Sequence, residues 1–116
     1  MPKIKGHINK RDMKDKKYIF NASFYTTPDY RHQWEEWLNK DLFPFVAERV
    51  PDSESEVFQV LSEVNQDMLV FSVQFRCSTN DQLDYIRKET VPVFNEFRAR
   101  FGERVTNFNS VLNKLD

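Results

Sequence analysis

Hydrophobic and polar residues alternate along two segments of the chain in the manner of half-buried β-strands. In residues 18–25, one side of the strand carries Tyr18, Phe20, Ala22 and Phe24. In residues 68–77, the corresponding apolar side carries Leu69, Phe71, Val73 and Phe75. We call the side with these residues the covered face, because it needs a layer of helices over it. The opposite side, which includes Asn21 and Gln74, is the open face.

Two further strands are predicted from mixed patterns, over residues 56–64 and 104–112, and a short turn at residues 65–67 precedes the strand over 68–77. In the strand over 56–64, the residues expected on the covered face are Phe58, Val60 and Val64. The apolar residues expected on the open face are Ile19, Tyr25, Val57, Leu61, Met68, Val70, Val105 and Val111. Gln59 is expected there too, among the polar residues.

Helical periodicity separates these strands. Thr27 and Pro28 form a typical helix start. The apolar stripe behind them consists of Trp34, Trp37, Leu38, Leu42, Phe45, Val46 and Arg49, and Pro44 predicts a kink within it. A second helix follows the capping residues 78–81. Its stripe consists of Leu83, Ile86, Thr90, Phe94, Phe97 and Phe101, interrupted by Pro92 and ended by Gly102.

The resulting order, β-α-β-β-α-β, predicts an α+β fold of the ferredoxin-like type. We expect a four-stranded antiparallel sheet with two helices on one face. The chain of 116 residues has the length of one domain. We therefore divide it into a basic N-terminal tail, residues 1–17, and a single domain, residues 18–116. Residues 1–12 are expected to be a dispensable leader.

The open face is the predicted functional surface. Its apolar residues exceed what a monomer usually exposes, so a homodimer formed through this face is expected. Polar side chains on the same face could orient a ligand or satisfy one another at the interface. The candidate ligand-binding residues are Asn21, Ser23, Ser72, Gln74, Arg76, Asn107 and Asn109.

Charge and composition narrow the function classes. The tail holds seven Lys or Arg residues against two Asp, a net +5, and the remaining chain is at −6. Such a tail suggests nucleic-acid binding, but a solvated leader explains it more simply, and we expect no nucleic-acid partner. With one cysteine, no signal peptide pattern and no long apolar run, we expect a cytoplasmic protein without a membrane partner.

The residues that usually carry chemistry are few. His32 lies off the apolar stripe and is expected to be exposed, and Cys77 has the parity of the covered face and is expected to be buried. With Gly6 and Gly102 as the sole glycines, no phosphate-binding loop is possible. We expect no catalytic residue, metal or cofactor. The aromatic residues that RNA-binding sheets would expose lie here on the covered face.

Several segments resemble one known family. They are YIFNASF at 18–24, WEEW at 34–37 with Phe43 and Pro44, FSVQF at 71–75, and RFGERV at 100–105 with Phe108 and Leu112. Over about residues 18–115 the chain is similar to the domain-of-unknown-function family 4286, a set of short bacterial proteins. The resemblance implies kinship with dimeric α+β barrel proteins and brings no activity.

This chain departs from the family pattern at two places. Leu42-Phe43-Pro44 stands where family members often have His-Ile-Pro, and Asn109-Ser110 where they often have Arg-Thr. Both changes remove groups suited to catalysis. We therefore expect a non-enzymatic, homodimeric binding or assembly module. The alternative is a cofactor-independent enzyme or small-molecule binder of the dimeric α+β barrel type.

Overall fold

The computed structural model describes residues 16–61 and 67–115, and the remainder of the predicted tail and turn lies outside them. One sheet of four strands runs in the order β2-β3-β1-β4, with every neighbouring pair antiparallel. Its strands are β1, Tyr18–Thr26; β2, Glu54–Gln59; β3, Leu69–Cys77; and β4, Val105–Asn113. The predicted α+β class and antiparallel four-stranded sheet are confirmed.

The first helical region is divided rather than continuous. After a 3₁₀ turn at Pro28–Tyr30 come α1 at Arg31–Trp37, a π-helical segment at Leu38–Leu42, and α2 at Phe43–Arg49. The wider turn is visible in the bond from the Phe43 N–H to the Leu38 carbonyl, five residues back. It lies just before Pro44, which has no N–H with which to continue the α-helical ladder. The irregularity predicted at this proline therefore takes the form of a π segment.

Both helical regions begin after a threonine, but only one of these residues caps as expected. Thr27 has an extended backbone, yet its hydroxyl makes no capping bond and has no hydrogen-bond partner within the described residues. Thr79 accepts a hydrogen bond from the Gln82 N–H at 3.1 Å, and the Gln82 side chain accepts one from the Ser78 N–H at 3.0 Å. The arrangement resembles a capping box, but the Gln82 side chain bonds to the N–H of the residue before the N-cap instead of that of Thr79 itself.

The second helical region consists of α3, Asn80–Glu89, and α4, Val91–Phe101. At the junction, the Thr90 hydroxyl donates to the Ile86 carbonyl at 2.7 Å. Pro92 stands in the first turn of α4, where the lack of an N–H costs nothing. Gly102 ends the helix with a φ of 59°, as the sequence predicts.

The core lies between the covered face and the helices. Phe24 on β1 has no exposed surface and contacts Trp34, Trp37 and Phe97, with ring centroids 5.4, 5.7 and 5.5 Å away. Trp34 stacks on Phe71 of β3 at 4.5 Å. All six residues of the predicted stripe over α3 and α4 are buried. The aromatic faces of β1 and β3 and the second helix stripe were thus predicted correctly, whereas Phe45 and Arg49 of the first stripe are only half-buried.

The predicted faces of the two edge strands are wrong. In β2, Val57 is paired with Val73 and Gln59 with Phe71, so both lie on the covered face, whereas Phe58 is opposite Ser72 on the open face. The strand also begins two residues earlier than predicted. Val64 lies outside the described residues.

In β4 the whole alternation is reversed. Its pairing with β1 places Asn107 opposite Phe24, so the odd-numbered residues of β4 lie on the covered face. The residues misplaced by this reversal are Val105, Asn107, Asn109 and Val111. The physical reason is that β4 carries apolar residues of both parities, and only the register with β1 decides which side they take.

Within the described part of the chain, no helix is both long enough and apolar enough to cross a bilayer.

Candidate functional site

The centre of the open face is a network of polar side chains around Asn21. The Asn21 Nδ2 group donates to the hydroxyls of Ser23 at 3.1 Å and Ser110 at 3.5 Å. Its Oδ1 atom accepts from Ser72 at 2.6 Å and from Gln74 at 3.5 Å. These five residues, from β1, β3 and β4, are called the Asn21 network below. Asn21 itself is only 9 % exposed, so its amide is largely withdrawn from water.

Arg76 lies beside this network without joining it. Its guanidinium forms an ion pair with Glu56 of β2, and Lys16 reaches Glu54 on the same strand at 3.4 Å. The positive charge of Arg76 is therefore neutralised within the sheet. This pairing leaves the middle of the open face polar but uncharged.

The structure brings together four of the seven predicted ligand-binding residues and separates three. The four in the Asn21 network are Asn21, Ser23, Ser72 and Gln74. Arg76 is on the same face but bonded elsewhere. Asn107 and Asn109 lie on the covered face, where the Asn107 side chain donates to that of Asn109 at 2.9 Å. The prediction that Asn107 and Asn109 lie on the open face is therefore wrong.

Sequence reasoning missed Ser110 and two of the aromatic residues that flank the network, Phe58 and Phe108. Ser110 is paired with Asn21, and Phe108 with Ser23. The even-numbered apolar residues Phe108 and Leu112 were the available signal for the true face of β4. That signal competed with Val105 and Val111 of the opposite parity.

Large apolar side chains surround the Asn21 network. The exposed fractions are 43 % for Phe58, 41 % for Tyr25, 65 % for Phe108 and 43 % for Leu112. Phe58 and Phe108 lie at the two ends of one row of paired residues across the sheet, with Ser72 and Ser23 between them. We call Phe58, Tyr25, Phe108 and Leu112 the apolar frame. Large apolar side chains exposed together on one face are typical of a contact surface.

The titratable groups offer little to acid–base or nucleophilic chemistry. His32 is exposed on α1, as predicted. Cys77 is fully buried, also as predicted, and burial together with the nearby Asp52 carboxylate raises the pKa of its thiol to about 11. Such a thiol stays protonated at neutral pH and is a poor nucleophile. Among residues 16–61 and 67–115, no group of three His, Cys, Asp or Glu residues has a geometry that could hold a metal ion.

Several solved structures have a similar fold at low sequence identity. The designed protein Foldit4 matches with a TM-score of 0.58 and 9 % identity, over 85 % of this chain and 99 % of that one. A nipsnap family protein with unknown function from Agrobacterium tumefaciens matches with a TM-score of 0.51 and 9 % identity, over 85 % and 89 %.

A third match is to part of a larger protein. A hydantoinase/carbamoylase family amidase from Burkholderia ambifaria has a TM-score of 0.55 and 13 % identity, over 82 % of this chain and 27 % of that one. These likenesses show the fold alone. No curated protein matches the sequence. The family described as "Domain of unknown function (DUF4286)" matches residues 17–115, nearly the whole described chain.

Proposed function

Since this chain belongs to DUF4286, a family of unknown function, we propose from its geometry that it is a homodimeric assembly module. The open faces of two copies pack against each other in this proposal. The observation that carries it is the apolar frame, whose member Phe108 is 65 % exposed in the single chain. A second sheet would remove this apolar surface from water.

The size of the open face supports a second copy as its occupant. Three strands of about 30 Å and the shorter β2 of about 20 Å, at a spacing of about 4.8 Å, present roughly 530 Å² per copy. Two such faces would bury about 1,060 Å² in total, just above the ~1,000 Å² expected of a specific interface. A short peptide would cover only a fraction of this surface.

The Asn21 network supports an interface over an open-face ligand site. Both hydrogens of the Asn21 amide and its oxygen are already used by neighbouring side chains. Burying the network therefore leaves few polar atoms without partners. A ligand would have to compete with bonds that the sheet already makes.

The arrangement of the frame also suits two-fold symmetry. An axis parallel to the strands, midway between β1 and β3, would lay β2 of one copy over β4 of the other. Phe58 of one copy would then face Phe108 of its partner, because the two residues end the same row. One self-complementary patch would thus form both aromatic contacts.

The proposal includes a cytoplasmic location and no catalytic activity. Cys77 is a free, buried thiol, and cysteines generally remain unpaired in a reducing compartment. The neutral, bonded centre of the open face provides neither an acid nor a base. Binding and assembly are the roles that such a surface can serve.

The test is the mass of the protein in solution, measured by sedimentation velocity over a range of concentrations. The wild type is expected at about twice the chain mass of 14.0 kDa. Phe108→Glu introduces two charges into the proposed interface and is expected to give a monomer. A charge buried without a partner is among the costliest changes an interface can meet.

Val111→Glu is the matched control. Val111 is on the same strand and is 48 % exposed, but it lies on the opposite face of the sheet. This variant is expected to remain dimeric. A monomeric wild type at all concentrations, or a dimer that survives Phe108→Glu unchanged, would contradict the proposal.

A further inference from the structure

A groove lies on the helix side of the sheet, away from the open face. It has a volume of about 280 Å³ and runs between α1, the π-helical segment and edge strand β2. Its apolar lining includes Trp34, Phe71 and Val57, and its polar lining includes Asn39 and Gln59. The volume is close to the lower limit of about 300 Å³ for ligand pockets, so it would admit only a small molecule.

The groove exists because the helices leave β2 uncovered. Val57 and Gln59 belong to the covered face by register, yet Val57 is 46 % exposed and Gln59 is exposed as well. On the next strand, Phe71 of the same face is only 3 % exposed beneath Trp34. The helical layer thus ends between β3 and β2, and its edge forms one wall. Leu38 and Asn39 of the π segment belong to this wall, and such segments are frequent at functional sites.

The polar groups of the groove are available and balanced in charge. The side-chain amides of Asn39 and Gln59 make no hydrogen bond to any residue in 16–61 or 67–115. Arg31 and Glu35, which also line the groove, form an ion pair at 3.7 Å. The guanidinium of Arg31 stands 5.2 Å from the Phe71 ring centroid. An amide presents both a donor and an acceptor, so the groove favours ligands that do the same.

Trp34, which lines the groove, also carries a buried donor without a partner. It is 1 % exposed, and its indole Nε1 is buried with no hydrogen-bond partner among the described residues. Buried donors of this kind are uncommon in folded proteins, and each calls for a specific explanation. This nitrogen has almost no exposed surface, so its proton can report binding in the groove but does not bond to the ligand.

We propose that this groove binds a small, uncharged aromatic molecule bearing an amide or lactam. Its ring lies against Val57 and the half-buried Phe43, which also lines the groove, and its carbonyl and N–H groups bond to the side chains of Asn39 and Gln59. A carboxylate in place of the amide is disfavoured, because Arg31 is engaged by Glu35 and the Glu35 carboxylate repels an anion. The site is contained in one chain and does not depend on the proposed dimer.

Nicotinamide and nicotinate are suitable probes, since they share one shape and differ in charge. The chain has two tryptophans, so a ¹H–¹⁵N spectrum contains two indole signals, which Trp34→Phe assigns. Nicotinamide is expected to shift the Trp34 signal saturably and the Trp37 signal less, because Trp37 packs on Phe94 and Phe97 in the core. Nicotinate is expected to bind at least tenfold more weakly.

Val57→Tyr fills the groove and is expected to abolish the shift, while Val111→Tyr is its matched control. Both valines lie on the covered face of an edge strand, with exposed fractions of 46 % and 48 %. Asn39→Ala and Gln59→Ala, at exposed positions, are each expected to raise the dissociation constant about two- to tenfold. Absence of a saturable shift, or an equal shift in Val57→Tyr, would overturn the site. Equal binding of nicotinate would overturn the ligand class.

Discussion

Replacing Phe24 with alanine tests the assignment of the two faces of the sheet. Phe24 has no exposed surface and its ring contacts Trp34, Trp37, Phe94 and Phe97. A phenylalanine side chain buries about 200 Å², which at ~25 cal/mol per Å² corresponds to ~5 kcal/mol. Alanine keeps a fraction of this area, and measured substitutions of this type cost about 3–5 kcal/mol. We expect ~4 kcal/mol, a large part of the stability of a domain of this size.

Phe108→Ala is the matched substitution on the open face. Because Phe108 is 65 % exposed, about a third of its surface is buried in the single chain. The expected loss is therefore about a third as large, ~1 kcal/mol. Any larger loss that grows with protein concentration would come from self-association, which stabilises the folded state by mass action.

The assay is urea unfolding followed by tryptophan fluorescence, at two protein concentrations tenfold apart. Trp34 and Trp37 are both buried, at 1 % and 3 % exposed, so their emission reports the loss of the core. Phe24→Leu retains most of the volume and is expected to cost less than about 1.5 kcal/mol. If Phe24→Ala and Phe108→Ala lose equal free energy at the lower concentration, the assignment of covered and open faces is refuted.

Two further predictions concern single residues. The Cys77 thiol, with its pKa raised to about 11, is expected to react with iodoacetamide at pH 8 only as fast as the protein unfolds, and a rate equal to that of free cysteine would contradict its burial. Because the unfolded thiol ionises at about 9 and the folded one at about 11, this group also lowers the free energy of unfolding as pH rises from 9 to 11, which urea titrations against Cys77→Ala can measure. Thr79→Ala removes the capping bond to the Gln82 N–H and is expected to cost ~1 kcal/mol, or a Tm about 4 °C lower by calorimetry. Asn80→Ala, at the exposed first position of the same helix, is its control and is expected to leave the Tm unchanged.

The sequence alone predicts the two faces of the central strands correctly, because their hydrophobic pattern allows only one side to face the helices. Within each of β1 and β3 the phenylalanines share a single parity, so alternation identifies the covered face without knowledge of the pairing. Phe20, Phe24, Phe71 and Phe75 are all buried, with at most 3 % exposed. The helix stripes follow for the same reason, since a period of 3.6 residues is visible along one chain segment.

The edge strands could not be predicted in this way. Val57 and Phe58 are adjacent apolar residues, and only the pairing of Val57 with Val73 decides which of them faces the helices. The same ambiguity in β4 placed Asn109 on the open face and hid Ser110 from the predicted site. The groove depends on where the helical layer ends above β2. No local pattern encodes the position of that boundary.

The order of the strands in the sheet determines when β1 can be fully paired during synthesis at the ribosome. β1 is central and is synthesised first, but one of its two neighbours, β4, is synthesised last. The Asn21 to Ser110 bond joins residues 89 positions apart. Until β4 has emerged, β1 therefore carries an unpaired edge next to aromatic side chains, a state prone to aggregation. The sheet can be completed only once Val105–Asn113 has left the ribosome, so the pairing of β1 with β4 is a late step in folding.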